Sequence, residues 1–257
     1  MKAQILGAAI LVVASIEASG EIKSTADAVP FSRPQIQEAL DQGADLRKVD
    51  TTPGLHTVPL SETWSTAEQA EETRKQIEEQ RSLGFYTVGT DKVTDLRAAM
   101  KAAANQRGYI PRHDRAFRKL SDIQDDLRVT PIGLGTSELS SATLMEIRLG
   151  GNHLDGKWTG VSRTFEVPDL GLVVLEENDH AASKDSVTVI QEWVNTDVNG
   201  YEGTVKTARD RSGRSLVRVG WANQRKLYSL ELQPNRPEAI ERNQARLLDI
   251  ARKLVES

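Results

Sequence analysis

The segment LVRVGWANQRKLYSLEL, from Leu216 to Leu232, decides the fold of this chain. Apolar side chains occupy every second position in both of its halves: Val217, Val219 and Trp221, then Tyr228, Leu230 and Leu232. A period of two is typical of antiparallel strands that bury one face. The segment therefore predicts neighbouring strands of one sheet.

A single amphipathic helix is predicted to follow these strands, from Pro237 to Val255. We expect Asn235 to cap it, with Pro237 in the first turn and Glu238 three residues after the cap. Its apolar residues recur at helical spacing: Ile240, Leu247, Leu248, Ala251, Leu254 and Val255. Because such a stripe needs a partner, we expect the helix to pack across the preceding sheet.

Other segments with strand patterns precede these elements. Together with the two above they predict about seven strands, the others covering residues 144–149, 158–167, 170–175, 186–194 and 201–208. Asn199-Gly200 and the stretch 210–213 are reversal signals. Because the turns lie so close together, the pattern favours an antiparallel meander.

The N-terminal half has helical patterns instead. A capping box at 65–68 predicts a helix that runs to about Ser82 and is stopped by Gly84. A second helix is predicted over 91–106 and a third over 112–128. The third helix has basic residues at its start and acidic residues at its end, which opposes the helix dipole. We expect it either to find compensating partners or to fray.

The predicted fold class is α+β, with a helical N-terminal part followed by a C-terminal antiparallel β-sheet packed by a C-terminal α-helix. The predicted organisation is a signal peptide at 1–20, an extended or partly disordered arm at 21–60, a helical region at 61–130 and the sheet-plus-helix domain at 138–257. The arm is proline-rich with few aromatic residues. The last boundary follows from a shift towards glycine and β-branched residues near 133–137.

The first 20 residues have the pattern of a secretory leader. Lys2 precedes an apolar run from Ile5 to Ile16, and small residues follow at 18–20. Cleavage is expected near Ala18 to Gly20, which predicts a periplasmic or secreted protein. A membrane anchor or a buried helix is the alternative, but the run is shorter than the roughly 20 residues that span a bilayer.

Composition narrows the classes of partner. The formal net charge of −4 gives no general attraction to nucleic acid. The chain has no cysteine, which excludes disulfides and a thioether-linked lipid anchor. No later segment is long and apolar enough to predict a membrane span.

No residue pattern predicts a catalytic, metal or cofactor site. The four histidines, His56, His113, His153 and His180, are far apart and lack a second ligand at zinc-like spacing. No nucleophile elbow, phosphate-binding loop or dinucleotide motif occurs. The sequence therefore favours a non-enzymatic role without a cofactor, while a hydrolytic site assembled from distant residues stays open as an alternative.

The charge of the chain reverses within the predicted sheet. Residues 170–197 hold six acidic residues and one lysine, whereas residues 206–226 hold seven basic residues and one aspartate. The two blocks could pair across strands, which we term the pairing interpretation. Alternatively, Lys206, Arg214 and Arg218 form an exposed basic strip that docks an acidic protein or ligand.

Tryptophans are the other candidate binding residues. Trp158, Trp193 and Trp221 fall in predicted strands, where core packing is one role and contact with a small apolar ligand another. The sequence thus predicts an exported protein that acts by binding a macromolecule, as an envelope accessory, chaperone or toxin-neutralising protein. The alternative is a carrier or sensor of a small apolar ligand, held between the sheet and the C-terminal helix.

Overall fold

The computed structural model describes residues 12–14, 52–63, 66–89, 93–105 and 110–256. The strands, numbered along the chain, are β1 (Val12–Ala14), β2 (Gly54–Val58), β3 (Tyr86–Val88), β4 (Thr143–Leu154), β5 (Lys157–Val167), β6 (Gly171–Asp179), β7 (Ser186–Ile190), β8 (Thr196–Val198), β9 (Tyr201–Asp210), β10 (Ser215–Ala222) and β11 (Lys226–Pro234). The α-helices are α1 (Ala67–Leu83), α2 (Leu96–Ala104), α3 (His180–Ser183) and α4 (Ile240–Arg252).

Eight of the strands form one large mixed sheet in the order β3-β9-β10-β11-β6-β5-β4, with β8 paired to β9. Neighbouring strands are antiparallel except β3, which runs parallel to β9. The fold is therefore α+β, a large sheet accompanied by few helices. The expected antiparallel pairing of β10 with β11 is confirmed.

The register of β10 and β11 aligns their apolar residues on one face. Val217 pairs with Leu232, Val219 with Leu230, and Trp221 with Tyr228. All six side chains are buried in the main core, together with residues of β5 and β6. The alternating pattern of the sequence thus produces one apolar face of the sheet.

The helix α4 covers this apolar face, as predicted. Leu247, Ala251 and Leu254 are buried there, together with Ile250. The predicted start was wrong: the residue before α4 is Ala239, which makes no side-chain cap. Asn235 instead donates its backbone N–H to Leu170, because the chain is still paired along the sheet at that point.

A small second sheet contains β1, β7 and β2 in the order β1-β7-β2. The strand predicted over 186–194 therefore lies outside the main sheet and ends at Ile190, and Trp193 falls in a 3-10 turn. Asp179 ends β6 by capping α3, which carries the chain away from the main sheet. Apart from β1, the predicted signal peptide lies outside the described residues, and the predicted arm is described only from residue 52.

The first two predicted helices are present in shortened or shifted form. Thr66 rather than Ser65 caps α1, through a reciprocal capping box with Gln69, and Gly84 ends it with a φ of 79°. Asp95 caps α2, which starts later than predicted. Apolar residues near α1 and β3 form a second cluster that packs on Ala208 and Leu216, on the sheet face opposite α4.

The third predicted helix, over 112–128, was wrong. The segment instead forms three separate 3-10 turns, Arg112–Asp114, Leu120–Asp122 and Gln124–Asp126. Its reversed charges disfavour an α-helix, and its backbone finds other partners, since Phe117 bridges to Ile147 of β4. The opposite charges of the two ends meet directly, with Arg112 Nη2 2.6 Å from Asp126 Oδ2.

Candidate functional site

Two residues of the predicted basic strip, Lys206 and Arg218, lie directly opposite each other on β9 and β10. The guanidinium of Arg218 extends to β11 and forms an ion pair with Glu231. The charge of Glu231 raises the pKa of Arg218, although burial acts in the opposite direction. The charge of Arg218 is therefore balanced within the sheet.

Lys206 lies against the ring of Trp193, with its Nζ 4.5 Å from the ring centre. Trp193 is buried beneath it. Burial, together with the neighbouring charge of Arg218, lowers the pKa of Lys206 to about 7. The structure thus brings Lys206, Arg218 and Trp193 together, although the sequence assigned them to two separate sets.

Arg214, the third residue of the predicted strip, follows the turn between β9 and β10. Its Nε donates to Asp210 Oδ2 at 2.8 Å. Burial acts to raise the pKa of Asp210, but hydrogen bonds from Ser212 and Arg214 hold it below its usual value. Arg214 is therefore held in its own turn by a local carboxylate.

Trp158 lies apart from the other candidate residues. Its ring centre is 4.9 Å from that of His153 and 5.7 Å from that of His113. Across the described ranges, no three His, Cys, Asp or Glu side chains are grouped so that they could hold a metal ion. Two of the four histidines thus meet around an aromatic ring.

The pairing interpretation accounts for part of the charge reversal. Asp179 of the acidic block accepts from Arg225 Nε of the basic block at 2.9 Å. Arg214 and Arg218 pair with carboxylates outside the acidic block, Asp210 and Glu231. These contacts balance three of the basic residues within the protein.

A cavity of about 300 Å³, partly open to solvent, lies between the main sheet and the end of α4. The residues that line it are Ile132, Asn199, Tyr201, Trp221, Ala251, Leu254, Val255 and Glu256. The buried members, Trp221, Ala251 and Leu254 among them, form its interior, whereas Asn199, Val255 and Glu256 are exposed and form its mouth. The cavity therefore has an apolar interior and a mouth with two polar side chains.

The sheet supplies a rigid aromatic wall. Trp221 of β10 pairs with Tyr228 of β11, and their rings stack with centroids 5.1 Å apart and an interplanar angle of 15°. Burial raises the pKa of Tyr228, which keeps its phenol neutral. Tyr201, the first residue of β9, follows the Asn199-Gly200 turn, so the turn and the aromatic side chains occupy the same end of the sheet.

A buried ion pair positions Ile132, another residue that lines the cavity. Glu177 Oε1 is 2.7 Å from Arg163 Nη2, and the two side chains are 0% and 4% exposed. Glu177 Oε2 accepts from the N–H of Ile132 at 2.6 Å, and Arg163 donates to the C=O of Ile132 at 2.7 Å. The ion pair therefore satisfies both the backbone N–H and the backbone C=O of Ile132.

Burial of these charges shifts their titration. Burial raises the pKa of Glu177, although the charge of Arg163 acts to lower it. Lys226 has its pKa lowered by burial, and its Nζ donates to the C=O of Thr130 at 2.6 Å. The segment around Ile132 is thus attached to the sheet through three ionisable side chains.

The C-terminal segment closes the site. Val255 and Gly133 exchange backbone hydrogen bonds of 2.9 and 3.0 Å. Gly135 has a φ of 55°, and a Cβ there would lie 2.2 Å from the carbonyl oxygen of Lys253. The stretch near the predicted domain boundary, 133–137, is therefore packed against the end of the chain.

Only part of this cavity is marked in the sequence. Trp221, Ala251 and Leu254 belong to the apolar patterns of a predicted strand and helix. Ile132 lies just before the predicted domain boundary at 133–137 and Glu256 just after the predicted helix, and no local pattern marks either residue. The predicted binding residues Trp158 and Trp193 do not line the cavity.

Comparisons with known proteins give no assignment. No protein family, curated protein or solved structure matched this chain. Within the described ranges, none of the helices has both the length and the apolar character needed to cross a membrane.

Proposed function

We propose that the protein binds a small, largely apolar ligand in the cavity between the main sheet and α4, as a carrier or sensor. The cavity itself supports this proposal, because an apolar interior with a few polar groups at the mouth is the usual form of a ligand site. Its volume of about 300 Å³ is at the lower end of the range for such sites. The ligand is therefore small.

A fluorescent apolar probe tests the proposal. N-phenyl-1-naphthylamine is expected to bind the purified protein with an increase in emission. Val255→Phe enlarges an exposed side chain at the mouth, where Val255 is 56% exposed, and should weaken binding at least about tenfold by occlusion. Leu83→Phe is the matched control, because Leu83 is 57% exposed at the end of α1 and lies outside the cavity. Equal binding by both variants would contradict the proposal.

A second proposal concerns a protein partner. Lys206 and Arg218 are direct cross-strand neighbours on one sheet face, although the ion pair of Arg218 with Glu231 leaves less of its charge for a partner. The side chain of Arg214 is 42% exposed, compared with 31% for that of Arg218. We propose that an acidic protein docks there.

Binding to polyglutamate at low and high salt tests the docking surface. Arg214→Gln and Lys206→Gln should each weaken binding and reduce its salt dependence. Arg211→Gln removes the same charge from an exposed position in the same turn and should leave binding less affected. A decrease of the same size in all three variants would indicate general charge attraction and would refute a defined strip.

Export remains part of the proposed function. The leader pattern supports removal of the segment that ends near Ala18 to Gly20. Cleavage there would remove β1, so β7 would keep β2 as its neighbour in the small sheet. N-terminal sequencing of protein from the cell envelope tests this, and an intact Met1 in that fraction would refute cleavage.

A further inference from the structure

The mouth of the cavity carries a carboxylate. Among the described residues that line the cavity, Glu256 is the charged one. Its Oε1 accepts from Asn223 Nδ2 at 2.7 Å, which holds the carboxylate next to the turn between β10 and β11. The mouth therefore presents negative charge at a defined position.

Two nearby basic side chains donate their hydrogen bonds to backbone carbonyls away from the mouth, although the charge of Lys226 also interacts with that of Glu256. Lys226 Nζ donates to the C=O of Thr130 at 2.6 Å, and Arg252 donates to the C=O of Asp197 at 2.9 and 3.1 Å. Neither side chain lines the cavity. The mouth also lies beside the C-terminal end of α4, where the helix dipole is negative. Both features favour a positive group in the ligand over a negative one.

Two aromatic side chains favour the same charge. Tyr201 and Trp221 line the cavity, and the electron-rich faces of phenol and indole rings attract cations. Aromatic rings that face an ammonium group are a common way to recognise such ligands, and the carboxylate of Glu256 adds an opposite charge. A neutral or anionic apolar ligand would use the interior but gain nothing from Glu256.

We propose that the cavity selects a small apolar or aromatic amine, whose ammonium group lies at Glu256 while its body fills the interior. This inference rests on the proposed function, since it requires that the cavity binds a ligand. It adds a charge preference that the presence of an apolar cavity alone does not predict.

Three probes of matched shape test the preference: 2-(1-naphthyl)ethylamine, 2-(1-naphthyl)ethanol and the anion of 1-naphthaleneacetic acid. By calorimetry at low salt, the amine should bind roughly fivefold more tightly than the alcohol, and the acetate most weakly. Glu256→Gln keeps an oxygen for Asn223 and should reduce amine affinity to that of the alcohol. Glu241→Gln, which removes a charge from the other end of α4, should leave all three affinities unchanged.

The outcomes separate the two proposals. Failure of all three probes to bind, or binding that Val255→Phe does not weaken, would overturn ligand binding in the cavity. Binding of amine and alcohol with equal affinity, both lost in Val255→Phe, would overturn only the cationic preference. Persistence of the amine preference in Glu256→Gln would also overturn it, because the selectivity would then arise from another group.

Discussion

Removing one partner of the Arg163–Glu177 ion pair should be among the most damaging changes to this protein. Arg163→Met keeps the apolar length of the side chain but leaves the carboxylate of Glu177 buried without its counter-ion. Because both side chains are almost fully buried, this should cost about 3 to 5 kcal/mol of unfolding free energy. Total stabilities are about 5 to 15 kcal/mol, so the loss is a large fraction.

The double variant Arg163→Met, Glu177→Leu should lose much less than the two single changes added together. An apolar pair removes the unpaired charge, and buried ion pairs are often replaced by apolar residues without loss. The remaining cost comes from Ile132, whose N–H and C=O lose their partners, at about 1 to 3 kcal/mol each. The guanidinium Nε of Arg163 has no partner among the described residues, so its removal costs no hydrogen bond there.

The four proteins to compare are the wild type, Arg163→Met, Glu177→Leu and the double variant. Their urea unfolding at pH 7 gives the coupling energy between the two side chains, provided that the m-value is constant. The matched control is the Arg97–Glu166 pair, which has a similar distance of 2.8 Å but side chains that are 48% and 34% exposed. The same substitutions there should give about 0.2 to 1 kcal/mol of coupling. Coupling energies of equal size at the two sites would refute the reasoning, because burial would then have no effect.

The pKa of Glu177 provides a second readout. Burial raises this pKa above the usual value of 4.5. Between the unfolded and the folded pKa, the folded state therefore binds more protons than the unfolded state. The contribution of Glu177 to stability is therefore fully present below the unfolded pKa and is lost as the pH rises through the folded pKa. The stability gap between the wild type and Glu177→Leu should narrow over this rise, and a widening gap would contradict the assigned direction.

Three further substitutions test other parts of the structure. The pKa of Lys206 is lowered to about 7, so the free energy of unfolding should rise between pH 7 and the pKa of lysine in the unfolded chain. Urea titrations across that pH range should show a smaller rise for Lys206→Met. Gly135→Ala should destabilise by more than about 1 kcal/mol, because its Cβ would meet a backbone oxygen. Gly156 also has a positive φ but lies in open space, so Gly156→Ala should cost less. Leu247→Ala should cost about 2 to 5 kcal/mol through loss of core packing against the sheet, whereas Leu83→Ala should stay within about 0.5 kcal/mol in the same assay.

The predictions that the structure corrects, for residues 112–128 and 186–194, failed for identifiable physical reasons. Residues 112–128 have a helical apolar period, yet the buried Ile123 and Leu127 flank 3-10 turns and pack against residues of β4 and β5. Residues 186–190 have a strand pattern, but a pattern of alternation does not specify which sheet a strand joins. In both segments the sequence indicated which side chains are buried and gave a wrong partner or backbone conformation.

The sequence alone determined the alternating strands at 217–232, the amphipathic helix that covers them and the turn at Asn199-Gly200, where both residues have positive φ. These features depend on the period of the chain and on local backbone preference, which act between residues close in sequence. Only the tertiary structure decided the Arg163–Glu177 clamp and the cavity at Glu256, since their residues come from segments far apart along the chain. Burial and distance give these side chains their properties, and neither is encoded in any local pattern.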